Sequence, residues 1–401
     1  MVNYLVIGGG VIGLSIGTAL LENDSMNKVT IVEKESTLGA HASGRNSGVI
    51  HAGFYYSPES LKARFCADGN KELKALCRKY EIRMKEIGKV VVTKNDSELG
   101  QLEKLFQRGC ANGIDIELKH ANDLAKIEPA ASTVGKFLWS PTTAIADSKA
   151  VINQLAENFK NLGGKMVLGS SVSIMNSGEE IYGIIDGKQF HADFLVNAAG
   201  VHADRLARSV DVGLEFVCLP FMGLYRVSKQ TTQSSKTLIY PVPHPLNPFL
   251  GSHLTITLNG DIKIGPTAIP LLGREQYSLK SRISLLEIRD AIAGARALIR
   301  GKEYDFPKIV RSELPKVLTR LLVKNVAEIV PDLRQVDGWT KLPPGIRAQL
   351  VNLKSGTLEQ DFIVRKHANS IHILNAVSPG WTSALPFGRW VAKLISNGEL
   401  I

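Results

Sequence analysis

Cysteine is scarce in this sequence: Cys66, Cys77, Cys110 and Cys218 are the only four, and no two form a CxxC pair. At this length that argues against a disulfide framework and for a reducing compartment, where thiols pack as small apolar groups. The nine histidines show no HxxxH, HExxH or Cys/His cluster, so no metal site is expected. Low-complexity tracts and repeats of fixed period are missing, which argues against solenoids and propellers. Basic runs interleaved with aromatics are missing too. The formal net charge of +10 therefore points away from nucleic acid and towards an anionic substrate, an anionic cofactor or a membrane surface.

The apolar run "YLVIGGGVIGLSIGTALL" begins at Tyr4. The "MVN" before it offers no basic side chain for a signal peptide, and its glycines are spaced wrongly for a membrane span. Neither is expected. The run fits a strand (Tyr4 to Ile7), a glycine turn and a helix (Leu14 to Leu21). Gly8, Gly10 and Gly13 make GxGxxG: a tight turn, room for a pyrophosphate against backbone N–H groups, and close helix–strand packing. "KVTIVEK" then ends a second strand at Glu33, where a carboxylate can accept from ribose hydroxyls and would repel a 2′-phosphate. Strand, turn, helix, strand and acid in this order predict a dinucleotide site and disfavour NADP. The long small-residue loop "STLGAHASGRNSGVIHAG" that follows suits FAD better than NAD, because it can line a ribityl diphosphate and reach an isoalloxazine ring.

With 401 residues, two closely joined domains are expected. Helical periodicity marks residues 60–80, Ser97 to Asn112 and "KAVINQLAENFKNLGG"; "KVVVTKN" is a strand. Residues 165–200 suggest a meander with turns at "NSGEE" and "DGK"; its last strand, Phe194 to Asn197, is apolar and ends at Ala198, Ala199 and Gly200, which fits a buried parallel strand making a second close approach to the dinucleotide. Glu215 to about Ile264 is β-patterned, with turns at "HPLNP" and "NGD". Ser278 to about Val330 is helical, with Pro307 and Pro315 as breaks. Strand, glycine turn and helix return at the C-terminus. The expected fold is mixed α/β: a discontinuous Rossmann-type FAD-binding domain (1–85, 145–214 and 335–401) with an inserted β-rich substrate-binding domain (86–144 and 215–334). The site should lie between them.

Five stretches are distinctive: "NSGVIHAGFYYSPESLKARFCADGN", "LIYPVPHPLNPFLGSHLT", "IGPTAI", "PPGIRAQLV" and "NAVSPGWTSALPFG". In that order they resemble the FAD-dependent D-amino-acid-oxidase-like superfamily, and within it the L-2-hydroxyglutarate dehydrogenase/oxidase family. The resemblance implies oxidation of a small 2-hydroxy acid, with L-2-hydroxyglutarate to 2-oxoglutarate leading, by hydride transfer from the α-carbon to flavin N5. It carries FAD contacts to Gly8, Gly10, Val11, Ile12 and Gly13; to Glu33 and Lys34; and to Ser43, Gly44, Arg45, Asn46, Ser47 and Gly48. Further contacts fall at Val172, Ala199 and Gly200, and at Gly380, Trp381, Thr382 and Ser383. The chain departs from the family at Arg45 (usually His), Met222 (usually Arg) and Trp381 (usually small). Oxygen or a quinone is implied as electron acceptor. An amine or amino-acid oxidase of the same superfamily, acting on a D-amino acid or sarcosine, is the alternative; a catalytically silent nucleotide-binding protein is a third.

Oxidising an alcohol needs a base for the hydroxyl proton. His51, in the small-residue loop, is the candidate; its bland alternative is a loop or flavin hydrogen bond. His253, on a strand of "GSHLT", is either a substrate contact or a satisfied core histidine. Arg347, after the Pro-Pro-Gly turn, can pair bidentately with a carboxylate or instead bridge domains. Tyr240 and Tyr225 are candidate hydroxyl donors or plain packing. Residues 308–324 suggest a basic amphipathic helix, either core-facing or in peripheral membrane contact. A cytoplasmic location is expected, free or on the membrane's inner face, with homo-oligomerisation left open.

Overall fold

The computed structural model describes residues 1–176, 180–230, 235–245, 247–278 and 280–397; the expected turns at "NSGEE" and "HPLNP" lie partly outside them. The Asn3–Ile7 strand runs parallel to Lys28–Glu33 on one side and Phe194–Asn197 on the other. Lys165–Leu168 extends the sheet at one edge; Ser370–Asn375 and then Ile363–His367 extend it at the other, giving six strands. Leu5, Val6, Ile31, Val196 and Ile371 are almost wholly buried, as expected when a parallel sheet is covered on both faces. The helices Val11–Asn23, Ser148–Asn161 and Gly380–Asn397 pack on one face through Val6, Ile31, Val196 and Ile371. A three-stranded antiparallel sheet (Val172–Asn176, Ile181–Ile185, Lys188–Phe190) and the short helix Ala203–Arg208 cover the other, through Leu5, Ile7 and Leu195.

The second unit is an eight-stranded sheet in which Leu238–Pro241 runs parallel to Lys89–Val92 and antiparallel to His253–Ile256. Beside it, the Phe216–Gly223 and Gly345–Asn352 strands pair along their whole length in a four-stranded sheet. Helix Leu285–Gly301 packs on that pair through Ala291, Ala297 and Leu298.

Three expectations change. The residue 165–200 meander is split: Phe194–Asn197 is the buried parallel strand its apolar run suggests, Lys165–Leu168 joins the same sheet, and only the three strands between them form a local sheet. Alternation marks a strand but not its partner. The division at residue 335 also cuts through pairing, because Thr340–Lys341 and Gly345–Asn352 hydrogen-bond to Arg226–Ser228 and Phe216–Gly223. Finally, residues 308–324 are not one helix. They comprise Phe306–Glu313, a 3₁₀ turn at Leu314–Val317 and helix Thr319–Val326. Pro315 has no N–H to continue the ladder, whereas Pro307 lies in the first turn of its helix and starts it. The break turns Leu314, Val317 and Leu318 outwards while Ile309 and Leu322 stay in the core.

Candidate functional site

A cavity of about 560 Å³ opens at the carboxyl ends of the parallel strands, where Ile7, Glu33 and Ala198 line it. Such a strand-end crevice is the usual ligand site of an open α/β sheet. It is also lined by Tyr240 and His253 from the eight-stranded sheet, Tyr225 from the link before the Arg226–Ser228 strand, and Gly345 to Ala348.

The glycine turn is shaped by close approach. Gly8 has φ +106°, and a Cβ there would meet the Ala198 carbonyl oxygen at 2.5 Å. A Cβ on Gly13 would lie 2.0 Å from the Gly8 oxygen, so only hydrogen lets the helix start this near the strand. Helix Val11–Asn23 has no acid in its first turn and keeps its positive end towards the cavity. The Ser43 hydroxyl accepts from the Val11 N–H at 3.0 Å. Glu33 accepts from the backbone of Gly9 (2.8 Å) and Glu35 (3.0 Å), which fixes its carboxylate at the cavity rim. A bare backbone cradle, a positive helix end and an anchored acid fit a diphosphate and ribose. Trp381 Nε1 and His51 Nδ1 are buried without a hydrogen-bond partner on residues that line this cavity, as a further polar ligand would require.

Most of the proposed cofactor residues line this one space: Gly8, Gly10, Val11 and Ile12; Glu33 and Lys34; Ser43, Arg45, Asn46 and Ser47. Val172, Ala199, Gly200, Gly380, Trp381 and Thr382 complete the set. Gly13, Gly44, Gly48 and Ser383 do not line it. They shape it from behind: a Cβ on Gly44 would meet the Gly39 oxygen at 2.1 Å, and Gly48 has φ +75°. Ser383 is wholly buried in the C-terminal helix. Arg45 lines the cavity but donates to the Ala40 carbonyl at 2.6 Å and lies over the Tyr277 ring at 4.3 Å. Met222 is not among the lining residues.

His51, His253, Arg347, Tyr225 and Tyr240 all line the same cavity. His51 is held by its backbone: its N–H donates to the Thr382 hydroxyl at 3.1 Å, and its carbonyl accepts from the Asn70 amide at 3.1 Å. Burial drives its pKa well below the ordinary histidine value, helped by Lys89, His253 and Arg347, so the ring is neutral. His253 lies 2.8 Å from the Gly251 carbonyl through Nδ1; a carbonyl only accepts, so Nδ1 carries the proton and Nε2 the lone pair. Its ring stacks on Tyr240 at 3.6 Å, and burial lowers its pKa to about 3. The acids lining the cavity are Glu33 and Glu275; neither is at the end where these groups meet.

Sequence reasoning missed the network around Glu275. Lys34 reaches both Glu35 (2.8 Å) and Glu275 (2.5 Å), His202 meets Glu275 at 2.8 Å, and His41 bridges Glu35 and the Tyr277 hydroxyl. Burial would raise the Glu275 carboxyl; hydrogen bonds from His202 and Lys34 outweigh it and hold it at about 2. Ligand atoms of Glu35, His41 and Glu275 lie within 4.8 Å of one another, but the Lys34 ammonium already supplies the cation there. Wholly buried Arg274 anchors the same segment to Asp204 and Asp290. These partners are far apart in sequence, and no local pattern announces them.

The sequence matches the FAD dependent oxidoreductase family over residues 3–394. It is 34% identical over 404 residues to L-2-hydroxyglutarate dehydrogenase of Escherichia coli (strain K12), covering 99% of this chain and 94% of that one. The mitochondrial L-2-hydroxyglutarate dehydrogenase of Caenorhabditis elegans is 34% identical over 410 residues, covering 98% and 92%. Among solved structures, dithionite-reduced L-α-glycerophosphate oxidase from Mycoplasma pneumoniae with FAD bound shares the fold, with a TM-score of 0.76 at 23% identity over 100% of this chain and 95% of that one. Glycine oxidase from Geobacillus kaustophilus does so with a TM-score of 0.73 at 18% identity, covering 100% and 96%.

Proposed function

We infer the chemistry from one premise: the chain belongs to the FAD-dependent oxidoreductase family. It oxidises the alcohol carbon of a 2-hydroxy acid, with L-2-hydroxyglutarate the substrate and 2-oxoglutarate the product. The observation that carries this reading is the meeting, in one cavity, of the glycine cradle with His51, His253 and Arg347. FAD, when bound, supplies the hydride acceptor. Arg347 holds the carboxylate next to the reacting carbon, where no lining acid competes for it. His51 takes the hydroxyl proton: it lines the cavity, is neutral, and its ring is tied by no hydrogen bond among the described residues. His253, neutral with Nδ1 committed to Gly251, stacks on Tyr240 and presents an acceptor, Nε2, to the same space. Tyr225 and Tyr240 close the wall above.

The test is anaerobic. Added L-2-hydroxyglutarate should bleach the oxidised flavin band of the purified holoprotein in a single turnover. Bleaching by sarcosine or D-amino acids, with L-2-hydroxyglutarate inert, would transfer the assignment to amine oxidation.

We also propose that electrons leave to a quinone at a membrane surface. Among the described residues no helix is long and apolar enough to cross a membrane. The reading is supported instead by exposed Leu314, Val317 and Leu318, flanked by exposed Lys308, Arg311, Arg320 and Lys324. The protein should sediment with phosphatidylglycerol vesicles and not with phosphatidylcholine ones. Leu318→Glu should abolish the binding; sedimentation unchanged by that variant would refute this face.

A further inference from the structure

Residues 274–277 belong by chain order to the second unit, following the Ile269–Pro270 strand and preceding helix Leu285–Gly301. Their side chains reach the other unit. Glu275 meets Lys34 at 2.5 Å, His202 at 2.8 Å and His41 at 3.6 Å. The Tyr277 hydroxyl lies 2.8 Å from His41 Nδ1, and the Arg45 guanidinium stands 4.3 Å from the centre of the Tyr277 ring. One short segment thus ties together the end of the Lys28–Glu33 strand, the small-residue loop and the Gly200–His202 turn.

Strand order says what runs beneath it. The Asn3–Ile7 strand lies between Lys28–Glu33 and Phe194–Asn197, all parallel, with Ile7 level with Val32 and Asn197. The two flanking strands are roughly 10 Å apart, two strand spacings. Lys34 follows one of them and the His202 turn follows the other. A carboxylate that holds both therefore bridges the end of the middle strand, where Gly8, Gly10 and Val11 form the cradle. Gly10 and Glu275 line the same cavity, so the bridge spans open space rather than packed core.

The two ends of the segment differ. The Arg274 side chain is 1% exposed and paired with Asp204 and Asp290, whereas that of Glu275 is 31% exposed. The N–H groups of Gln276 and Tyr277 donate within the segment, to Gly273 and Glu275. Lifting Glu275 to Tyr277 would break side-chain bonds and no sheet ladder.

FAD is two ring systems joined by a diphosphate. We propose that residues 274–277 are a strap closed over that diphosphate, with Arg274 its fixed end and Glu275 its latch. With its waist on the cradle and a ring system to either side of the bridge, the cofactor enters and leaves only when the latch opens. The latch bonds join protein groups to one another, so closure does not depend on the flavin. The inference rests on FAD lying on the glycine cradle and not on which acid is oxidised.

The experiment times FAD in both directions. Release is followed from holoenzyme by flavin fluorescence, with excess of a second flavin-binding apoprotein as trap. Rebinding is followed on full-length apoprotein made from the holoenzyme by bromide dialysis. A residue that merely contacts the cofactor slows release and leaves association alone; a latch slows both. Glu275→Gln should therefore speed release and association alike, each by about 10–10²-fold. Tyr277→Phe, which loses the His41 bond, should move both the same way by less. Wild-type association should level off at high FAD, at the rate of opening. Raising NaCl from about 0.05 to about 1 M should raise that plateau and the release rate together, because the latch pairs are partly exposed. Faster release with unchanged association in Glu275→Gln overturns the strap, as does a variant unchanged in both. If the Gln variant fails to fold, Tyr277→Phe and the wild-type salt dependence decide in the same terms. Failure of L-2-hydroxyglutarate to reduce the flavin would sink the proposed reaction and leave the strap standing.

Discussion

His51 is fixed through its backbone while its ring stays free, an arrangement suited to a group that must gain and lose a proton. Its folded pKa is depressed by burial, so the neutral base persists through neutrality and is lost only as pH falls below the ordinary histidine value of about 6.5. Reduction of the flavin by L-2-hydroxyglutarate should therefore hold level above about pH 6.5 and decline on the acid side. His51→Gln should retain FAD, slow reduction by about 10²–10⁴-fold and lose that acid limb; stopped-flow bleaching across pH checks both. A Gln variant that keeps the wild-type rate would leave the ring a merely structural role. His51 and Arg347 were legible because each lies in a distinctive small-residue or Pro-Pro-Gly stretch. Lys89 was not. A lysine opening a strand reads as a solvated charge, and only rings from separate segments, Phe54 and Tyr55 in one and Tyr240 in another, reveal it as buried.

At the scale of elements, the opening strand, turn and helix follow from sequence because GxGxxG encodes a steric fact. Gly13→Ala puts a methyl carbon 2.0 Å from the Gly8 oxygen; backbone must move, at a cost of about 1–3 kcal/mol, and the diphosphate cradle moves with it. The purified variant should show a lower flavin-to-protein ratio and a lower melting temperature. Gly100→Ala is the contrast. Nothing lies within 4 Å of a Cβ there, and the residue sits in helix Leu99–Ala111, so stability should rise by up to about 1 kcal/mol with flavin content unchanged. Full flavin occupancy in Gly13→Ala would remove the steric argument. Other elements were located correctly and partnered wrongly. The apolar run at 194–197 read as a buried parallel strand, and it is one; the strand at 165–168 read as the start of a meander, and what recruits it to the parallel sheet is a partner far away in the chain. The basic helix failed differently: periodicity implied one buried stripe, but Pro315 rotates the second half relative to the first.

For the whole molecule, the mixed α/β class and the returning C-terminal segment were readable, since strand–turn–helix patterns occur at both ends. The contacts that unite the two units were not, because pairs such as His41 with Tyr277, or Arg274 with Asp204, join residues with nothing in common locally. Strand order has a further consequence, for the making of the protein. The Asn3–Ile7 strand is made well before its neighbour Phe194–Asn197, and that strand's own outer partner, Ser370–Asn375, later again. The helix Gly380–Asn397, which packs against Val11–Asn23 and lends Trp381 and Thr382 to the cavity, is later still. A growing chain therefore carries half a cradle until Gly380–Asn397 has emerged, and the flavin can be gripped only then.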